Sequence, residues 1–136
     1  MISYRTGNDF ELDEMIDVYV DSTLGERRPI GDRDRMARML EEAALVVTAW
    51  DDDRLVGISR SITDWVFCTY LSDLAVRSAY QGRGIGRELV RLTRQATPEA
   101  LVLLLAAPMA VDYYPKIGMT RHESAWVLWP GEEPEH

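Results

Sequence analysis

Residues 81–86 of the chain read Gln81-Gly82-Arg83-Gly84-Ile85-Gly86, directly before a stretch with the spacing of an amphipathic helix. The alternating glycines let the backbone adopt conformations that other residues avoid, and they let it approach a ligand closely. The amides of such a loop, with the free N–H groups at the start of the helix, form a concave set of donors that favours phosphate. We therefore predict a strand, a phosphate-binding loop and a helix in this order.

Two common phosphate-binding loops do not match this segment. The P-loop requires Gly-Lys followed by Ser or Thr, whereas this chain has Gly84-Ile85. The dinucleotide fingerprint has the spacing G-x-G-x-x-G and an acidic residue about 20 positions further on. That distance falls on Ala106 and Ala107. ATP and NAD are therefore disfavoured as ligands.

The remaining pattern predicts a single mixed α/β domain over residues 1–130, followed by a flexible tail at residues 131–136. Helical spacing or helix-start signals mark residues 10–20, 36–43, 85–96 and the segment after residue 108. Strand-like runs occupy residues 2–5, 45–50, 55–62, 65–76, 101–106 and 125–129. The predicted order is β-α-α-β-β-β-α-β-α-β. Because strands average about five to six residues, the long run at 65–76 predicts a bend or bulge. The continuously apolar run at 101–106 predicts a strand that is covered on both faces.

Composition is typical of a soluble globular protein, with 46% hydrophobic and 28% charged residues. No apolar run reaches the roughly 18 residues of a spanning helix, and the N-terminus lacks a signal-peptide core. We therefore expect a cytoplasmic protein. The net charge of −8 disfavours nucleic acid and anionic membranes as partners and favours a cationic or neutral one. The one cysteine, Cys68, fits a reducing compartment, and we predict no metal.

A second motif follows downstream, at Tyr113-Tyr114-Pro115-Lys116-Ile117-Gly118-Met119. Together with Leu74-Ala75-Val76 and the glycine loop (residues 81–86), it resembles the paired motifs of the GNAT N-acetyltransferase superfamily, whose loop signature is Q/R-x-x-G-x-G/A. The order of elements also matches, so the resemblance extends to about Trp129. It implies a GNAT-like mixed, mostly antiparallel sheet with a V-shaped splay between strands four and five.

The resemblance implies acetyl-CoA as the cosubstrate. The pantetheine arm would pair with the backbone of Leu74, Ala75 and Val76, as an added strand does. The pyrophosphate would lie on the amides of the glycine loop, with Arg87 nearby. The N–H group of Val76 would then stabilise negative charge that develops on the thioester oxygen.

The resemblance also suggests catalytic residues. Tyr114 matches the tyrosine that faces the coenzyme sulfur in the family, where it would hydrogen-bond or protonate the leaving thiolate. The general base stays open, since Asp73 beside the expected cleft, His122 and water are all candidates. Two positions depart from the family pattern: Ala107 stands where many members carry Asn, and Met119 replaces an aromatic residue.

The leading hypothesis is an N-acetyltransferase that moves an acetyl group from acetyl-CoA to a primary amine by direct attack in a ternary complex. The alternative is a non-catalytic acetyl-CoA-binding sensor or regulatory module, which needs the glycine loop but not Tyr114. In the family, the loop that contains Glu26, Arg27 and Arg28 helps to shape the acceptor site. An exposed last strand with two tryptophans favours a homodimer. No motif identifies the acceptor amine.

Overall fold

Five strands lie side by side in sequential order in one sheet. The computed structural model describes residues 1–135, which divide into the unit Met1–Leu105 and a smaller unit from Ala106 onward. The strands are β1 (Ile2–Thr6), β2 (Leu45–Asp51), β3 (Arg54–Thr63), β4 (Cys68–Val76) and β5 (Leu101–Leu103). The helices are α1 (Leu12–Asp21), α2 (Arg33–Glu41), α3 (Ile85–Ala96) and, in the second unit, α4 (Tyr113–Lys116).

The sheet is mixed. Strands β1 to β4 pair antiparallel, and β5 pairs parallel to β4 after the crossover through α3. This confirms the predicted fold class, a mixed α/β domain with a mostly antiparallel sheet. Among the described residues, no helix combines the length and apolarity needed to cross a membrane.

Helices pack on both faces of the sheet. Met15 and Tyr19 of α1 and Met36 of α2 are fully buried against one face. Ile85 and Leu89 of α3 are buried against the other face. Because both faces are covered, β2 and β3 are buried almost without alternation.

Gly57 of β3 lets α3 lie close to the sheet. A Cβ atom at this position would lie 3.1 Å from Cδ1 of Leu89 and 3.2 Å from Cγ2 of Ile85, which is tighter than ordinary contact. The first turn of α3 thus sits directly on the sheet, and this contact fixes the position of the glycine loop that precedes it.

The predicted bulge lies in the middle of β4. Arg60 of β3 pairs with Asp73, whereas the next residue, Ser61, pairs with Leu71, so Ser72 is the extra residue. Strand β5 pairs with residues 68–70 only. Beyond Tyr70, β4 pairs with no other strand on that side within the described residues, which agrees with the predicted splay between strands four and five.

Two strand predictions need correction. Residues 125–129 form no strand in the described chain, and Trp126 is 93% exposed. Apolar residues that favour strands indicate only a local preference for extended backbone, whereas a strand also requires a partner with which to share hydrogen bonds. Strand β5 is three residues long rather than six, and Leu101 is 59% exposed, so it is not covered on both faces. The single-domain boundary stays a prediction, and His136 of the predicted tail lies outside the described residues.

Candidate functional site

The glycine loop adopts the backbone conformation that its glycines predict. Gly82 and Gly84 have φ angles of +77° and +82°, a region where residues with side chains are strained. A Cβ atom at either position would meet nothing within 4 Å. These glycines therefore serve the shape of the loop and leave open space beside it, and they do not serve internal packing. The first hydrogen bond of α3 runs from the N–H of Glu88 to the carbonyl of Gly84, over 3.1 Å.

The loop presents a row of free amides. The N–H groups of residues 82–87 donate to no acceptor within residues 1–135. The side-chain amide of Gln81 donates to the carbonyl of Val76 over 2.9 Å, which ties the start of the loop to the end of β4. Because these amides lie at the N-terminus of a twelve-residue helix, the helix dipole adds to their attraction for an anion.

Two arginines lie beside these amides. The guanidinium of Arg83 lies 5.0 Å from the ring centre of Tyr80. Arg87 is exposed in the first turn of α3 and makes no hydrogen bond or ion pair within the described chain. Arg91, one turn further on, pairs with Glu88 instead. The positive charge available near the loop therefore comes from Arg83 and Arg87.

The end of β4 has a backbone edge with which no other strand of the described residues pairs. Arg77 donates its N–H to the carbonyl of Val56 in β3 over 2.8 Å, so Arg77 and Val56 form a hydrogen-bonded pair between the two strands. Because such pairs alternate along antiparallel strands, the backbone polar groups of Leu74 and Val76 point away from β3. Pairing with β5 ends at Tyr70. An extended ligand could therefore add to β4 at this edge.

Asp73 lies in the protein interior. Its side chain is fully buried, and each oxygen is occupied. Oδ1 accepts from Nε of Arg28 over 2.5 Å, and Oδ2 accepts from Nε of Arg60 over 2.5 Å and from the hydroxyl of Tyr19 over 2.6 Å. A buried carboxylate in a strand predicts an opposite charge nearby. However, only the tertiary structure identifies the two arginines as its partners.

These contacts keep Asp73 ionised. Burial is the largest influence and raises its pKa, but the hydrogen bonds and charge of Arg60, the Tyr19 hydroxyl and the charge of Arg28 together lower the pKa below its usual range. Burial first, and then the adjacent carboxylate, raise the pKa of Tyr19 well above its usual value. A carboxylate with a lowered pKa and no free oxygen is a poor proton acceptor.

The other two candidates for proton transfer belong to the C-terminal unit. Tyr114 lies in α4, is half-buried, and packs its ring edge-on against Tyr113 at 5.2 Å between centroids. Burial, followed by the neighbouring Tyr113, raises the pKa of Tyr114, so its hydroxyl stays protonated at neutral pH. His122 is exposed, and its Nδ1 accepts from the N–H of Ser124 over 3.2 Å.

Comparison with known proteins decides the family. The model of the acetyltransferase (GNAT) family matches residues 12–119. The chain belongs to the GNAT acetyltransferase family. Over 123 residues, this GNAT chain is 30% identical to an uncharacterized ycf52-like N-acetyltransferase from Prochlorococcus marinus, a match that covers 85% of the chain and 64% of that protein. The chain thus spans just under two thirds of the length of this relative.

Solved structures share the GNAT fold. An acetyltransferase of the GNAT family from Streptococcus pneumoniae superposes with a TM-score of 0.80 at 22% identity, over 98% of this chain and 100% of that one. Glucosamine-6-phosphate N-acetyltransferase from Arabidopsis thaliana gives 0.66 at 14% identity, over 96% and 99%. At such identities the likeness concerns the fold. In this GNAT chain, the residues expected to bind acetyl-CoA, 74–76 and 81–87, belong to the first unit, and Tyr114 belongs to the second.

Proposed function

We propose that this protein transfers an acetyl group from acetyl-CoA to a primary amine, by direct attack of the amine in a ternary complex. One observation carries the proposal: the edge of β4 at Leu74 and Val76, where pairing with β5 has ended and only the Val76 carbonyl is occupied, leads directly into a loop with six free amides. This arrangement fits a ligand that joins an amide-containing arm to a diphosphate. Acetyl-CoA is such a ligand.

The chain's own groups account for binding. The N–H and carbonyl of Leu74 would pair with the amides of the pantetheine arm, as in strand addition, while the carbonyl of Val76 already accepts from the side chain of Gln81. The amides of residues 82–87 would hold the pyrophosphate at the start of α3. Arg87, which makes no hydrogen bond or ion pair within residues 1–135, adds positive charge at the same place.

In the reaction, acetyl-CoA supplies a thioester carbonyl that an amine nitrogen attacks. The new C–N bond forms as the C–S bond breaks, the amine loses a proton and the leaving thiolate gains one. The N–H of Val76 faces the open edge, where it can donate to the thioester oxygen as negative charge develops. Following the family resemblance, we assign to Tyr114 the proton that reaches the thiolate. Because a tyrosine is a weaker acid than a thiol, and burial raises the pKa of Tyr114 further, this transfer accompanies C–S cleavage.

We assign Asp73 a positioning role and not that of the general base. Its oxygens are bound to Arg28, Arg60 and Tyr19, and its pKa is lowered. These contacts hold the bulged part of β4 between α1 and β3. Water is then the simplest acceptor for the proton that the amine loses.

The proposal is tested in two steps. Isothermal titration with acetyl-CoA, CoA, ATP and NAD is expected to give micromolar binding of the first two and at least tenfold weaker binding of the others. Absence of CoA binding at millimolar concentration contradicts the whole assignment. Thiol release from acetyl-CoA in the presence of an amine panel then separates an enzyme from a sensor, because a sensor binds the coenzyme without turnover.

A further inference from the structure

A cavity of about 540 Å³ lies beside the β4 bulge, within the Met1–Leu105 unit. Its walls come from the turn after α1, from α2, and from β3 and β4. Half of its ten lining residues are arginines, namely Arg27, Arg28, Arg35, Arg38 and Arg60. The cavity is open to solvent, and its volume falls within the range of roughly 300–1,000 Å³ that is typical of small-molecule sites.

The positive charge of this cavity is only partly neutralised by acidic residues of the protein. Arg28 and Arg60 share the carboxylate of Asp73. The side chains of the other three arginines make no hydrogen bond or ion pair within residues 1–135. Glu42 is the one acidic residue in the wall. Three positive charges therefore remain after Asp73 and Glu42 are counted, on a chain whose net charge is −8.

The cavity adjoins the strand segment that we propose holds the thioester. The bulged residue Ser72 lines it. Arg28 donates to the Ser72 carbonyl over 2.7 Å, and Arg60 donates to the Ser72 hydroxyl over 3.0 Å. Ser72 precedes Leu74 by two residues, which is about 7 Å along an extended strand. A small molecule anchored among the arginines can thus extend its amine to the open edge of β4.

We propose that this cavity binds the acceptor through an oxyanion, so that the substrate is a small amine that carries a carboxylate or a phosphate. The inference rests on the proposed acetyl transfer. The planar guanidinium group binds both oxyanions through paired hydrogen bonds. Met39 and Ile62 add apolar wall for the carbon chain between the oxyanion and the amine. A polyamine would meet like charges here, in contrast to the cationic partner that net charge alone favours.

Matched acceptor pairs test the chemistry. Acetylation of O-phosphoethanolamine is compared with that of ethanolamine, and acetylation of β-alanine with that of β-alanine amide, which lacks the carboxylate. We expect kcat/KM to be at least tenfold higher for the member that carries the oxyanion in one of the two pairs. The pair that shows this difference identifies the preferred group as phosphate or carboxylate. Equal rates within both pairs, or preference for spermidine over all four, overturn the proposal.

Variants locate the effect. In the double variant Arg35→Gln, Arg38→Gln, the KM of the preferred anionic amine is expected to rise at least tenfold, with kcat within threefold and the KM of acetyl-CoA unchanged. Arg33→Gln is the matched control, because it removes the same charge from the same helix, where Arg33 pairs with Asp13 outside the cavity. An unchanged KM in the double variant, or an equal rise in the control, contradicts the proposal.

A binding experiment separates this inference from the acetyl transfer itself. Isothermal titration with citrate and with inorganic phosphate needs no turnover. We expect the wild type to bind at least one of them and the Arg35→Gln, Arg38→Gln variant to bind it at least tenfold more weakly. No binding to the wild type at 10 mM, or equal binding to the variant, overturns the anion site. If the wild type binds an anion through these arginines but does not bind CoA, the anion site is supported and the proposed acetyl transfer is contradicted.

Discussion

One buried carboxylate organises the bulge of β4. Asp73 accepts from Arg28, Arg60 and Tyr19 and has no exposure to solvent. Removing one partner of a buried ion pair leaves the other charge without compensation, which costs about 3–5 kcal/mol. We therefore expect Asp73→Asn to lower the free energy of unfolding by this amount in urea denaturation. A loss below 1 kcal/mol would show that the arginines find other partners.

The control for this substitution is Asp53→Asn, at an exposed position in the β2–β3 turn, where a loss of about 0.5 kcal/mol or less is expected.

The pH dependence of stability gives a second test of the role of Asp73. Because the folded pKa of Asp73 is lowered, its contribution to stability is present above its unfolded pKa of about 3.9. It is lost as the pH falls through the folded pKa. Below pH 4 the wild type should therefore lose stability more steeply than Asp73→Asn.

The proposed proton donor is tested by removing a single hydroxyl group, that of Tyr114. We expect Tyr114→Phe to lower kcat about 100-fold, the lower range for loss of an acid–base group, with the Kd of acetyl-CoA unchanged. Tyr113→Phe is the matched control, since it removes a hydroxyl from the adjacent ring of the same helix, and its kcat should stay within threefold. If kcat of Tyr114→Phe stays within twofold of the wild type, the role assigned to Tyr114 is wrong.

At the scale of elements, a substitution in the glycine loop can distinguish the effect of backbone strain on stability from the effect of lost ligand contact on affinity. Gly84 has a φ of +82° and open space around a hypothetical Cβ atom. Gly84→Ala should therefore cost only about 1–2 kcal/mol of stability, from the left-handed backbone. If the coenzyme occupies that space, the Kd of acetyl-CoA should rise at least tenfold, measured by isothermal titration well below the melting temperature.

Gly7 provides the control for this prediction. It also has a positive φ, +119°, with nothing within 4 Å of a hypothetical Cβ atom, and it follows β1 away from the loop. Gly7→Ala should lower stability without changing the Kd of acetyl-CoA. Equal effects of the two variants on Kd would mean that the loop does not contact the coenzyme.

The strands show what sequence can and cannot predict. The excess length of β4 predicted a bulge, because regular strands are short. Its position at Ser72 depends on the register with β3 and on Arg28 and Arg60, which lie 44 and 12 residues away along the chain. In the same way, the apolar run at 125–129 predicted a strand from local preference alone. Local patterns thus identified the glycine loop and its helix, whereas partners distant in sequence had to come from the fold.

For the whole molecule, net charge and local charge have opposite signs. The chain carries −8, yet the glycine loop contains Arg83 and is followed by Arg87, and half of the residues that line the cavity beside Ser72 are arginines. Salt screens charges beyond about 8 Å at 0.15 M but only beyond about 30 Å at 0.01 M. The net charge should therefore govern the approach of an anion at low salt, and local groups should govern its bound state.

This difference in range predicts the sign of a salt effect on kinetics. The association rate constant of CoA, measured by stopped flow, should rise about twofold or more between 10 and 150 mM KCl, because screening weakens long-range repulsion between an acidic protein and an anionic ligand. An uncharged osmolyte at the same osmolality serves as the control and should leave the rate unchanged. A rate that falls with KCl would mean that the arginines near the binding site, and not the net charge, govern the approach of the coenzyme.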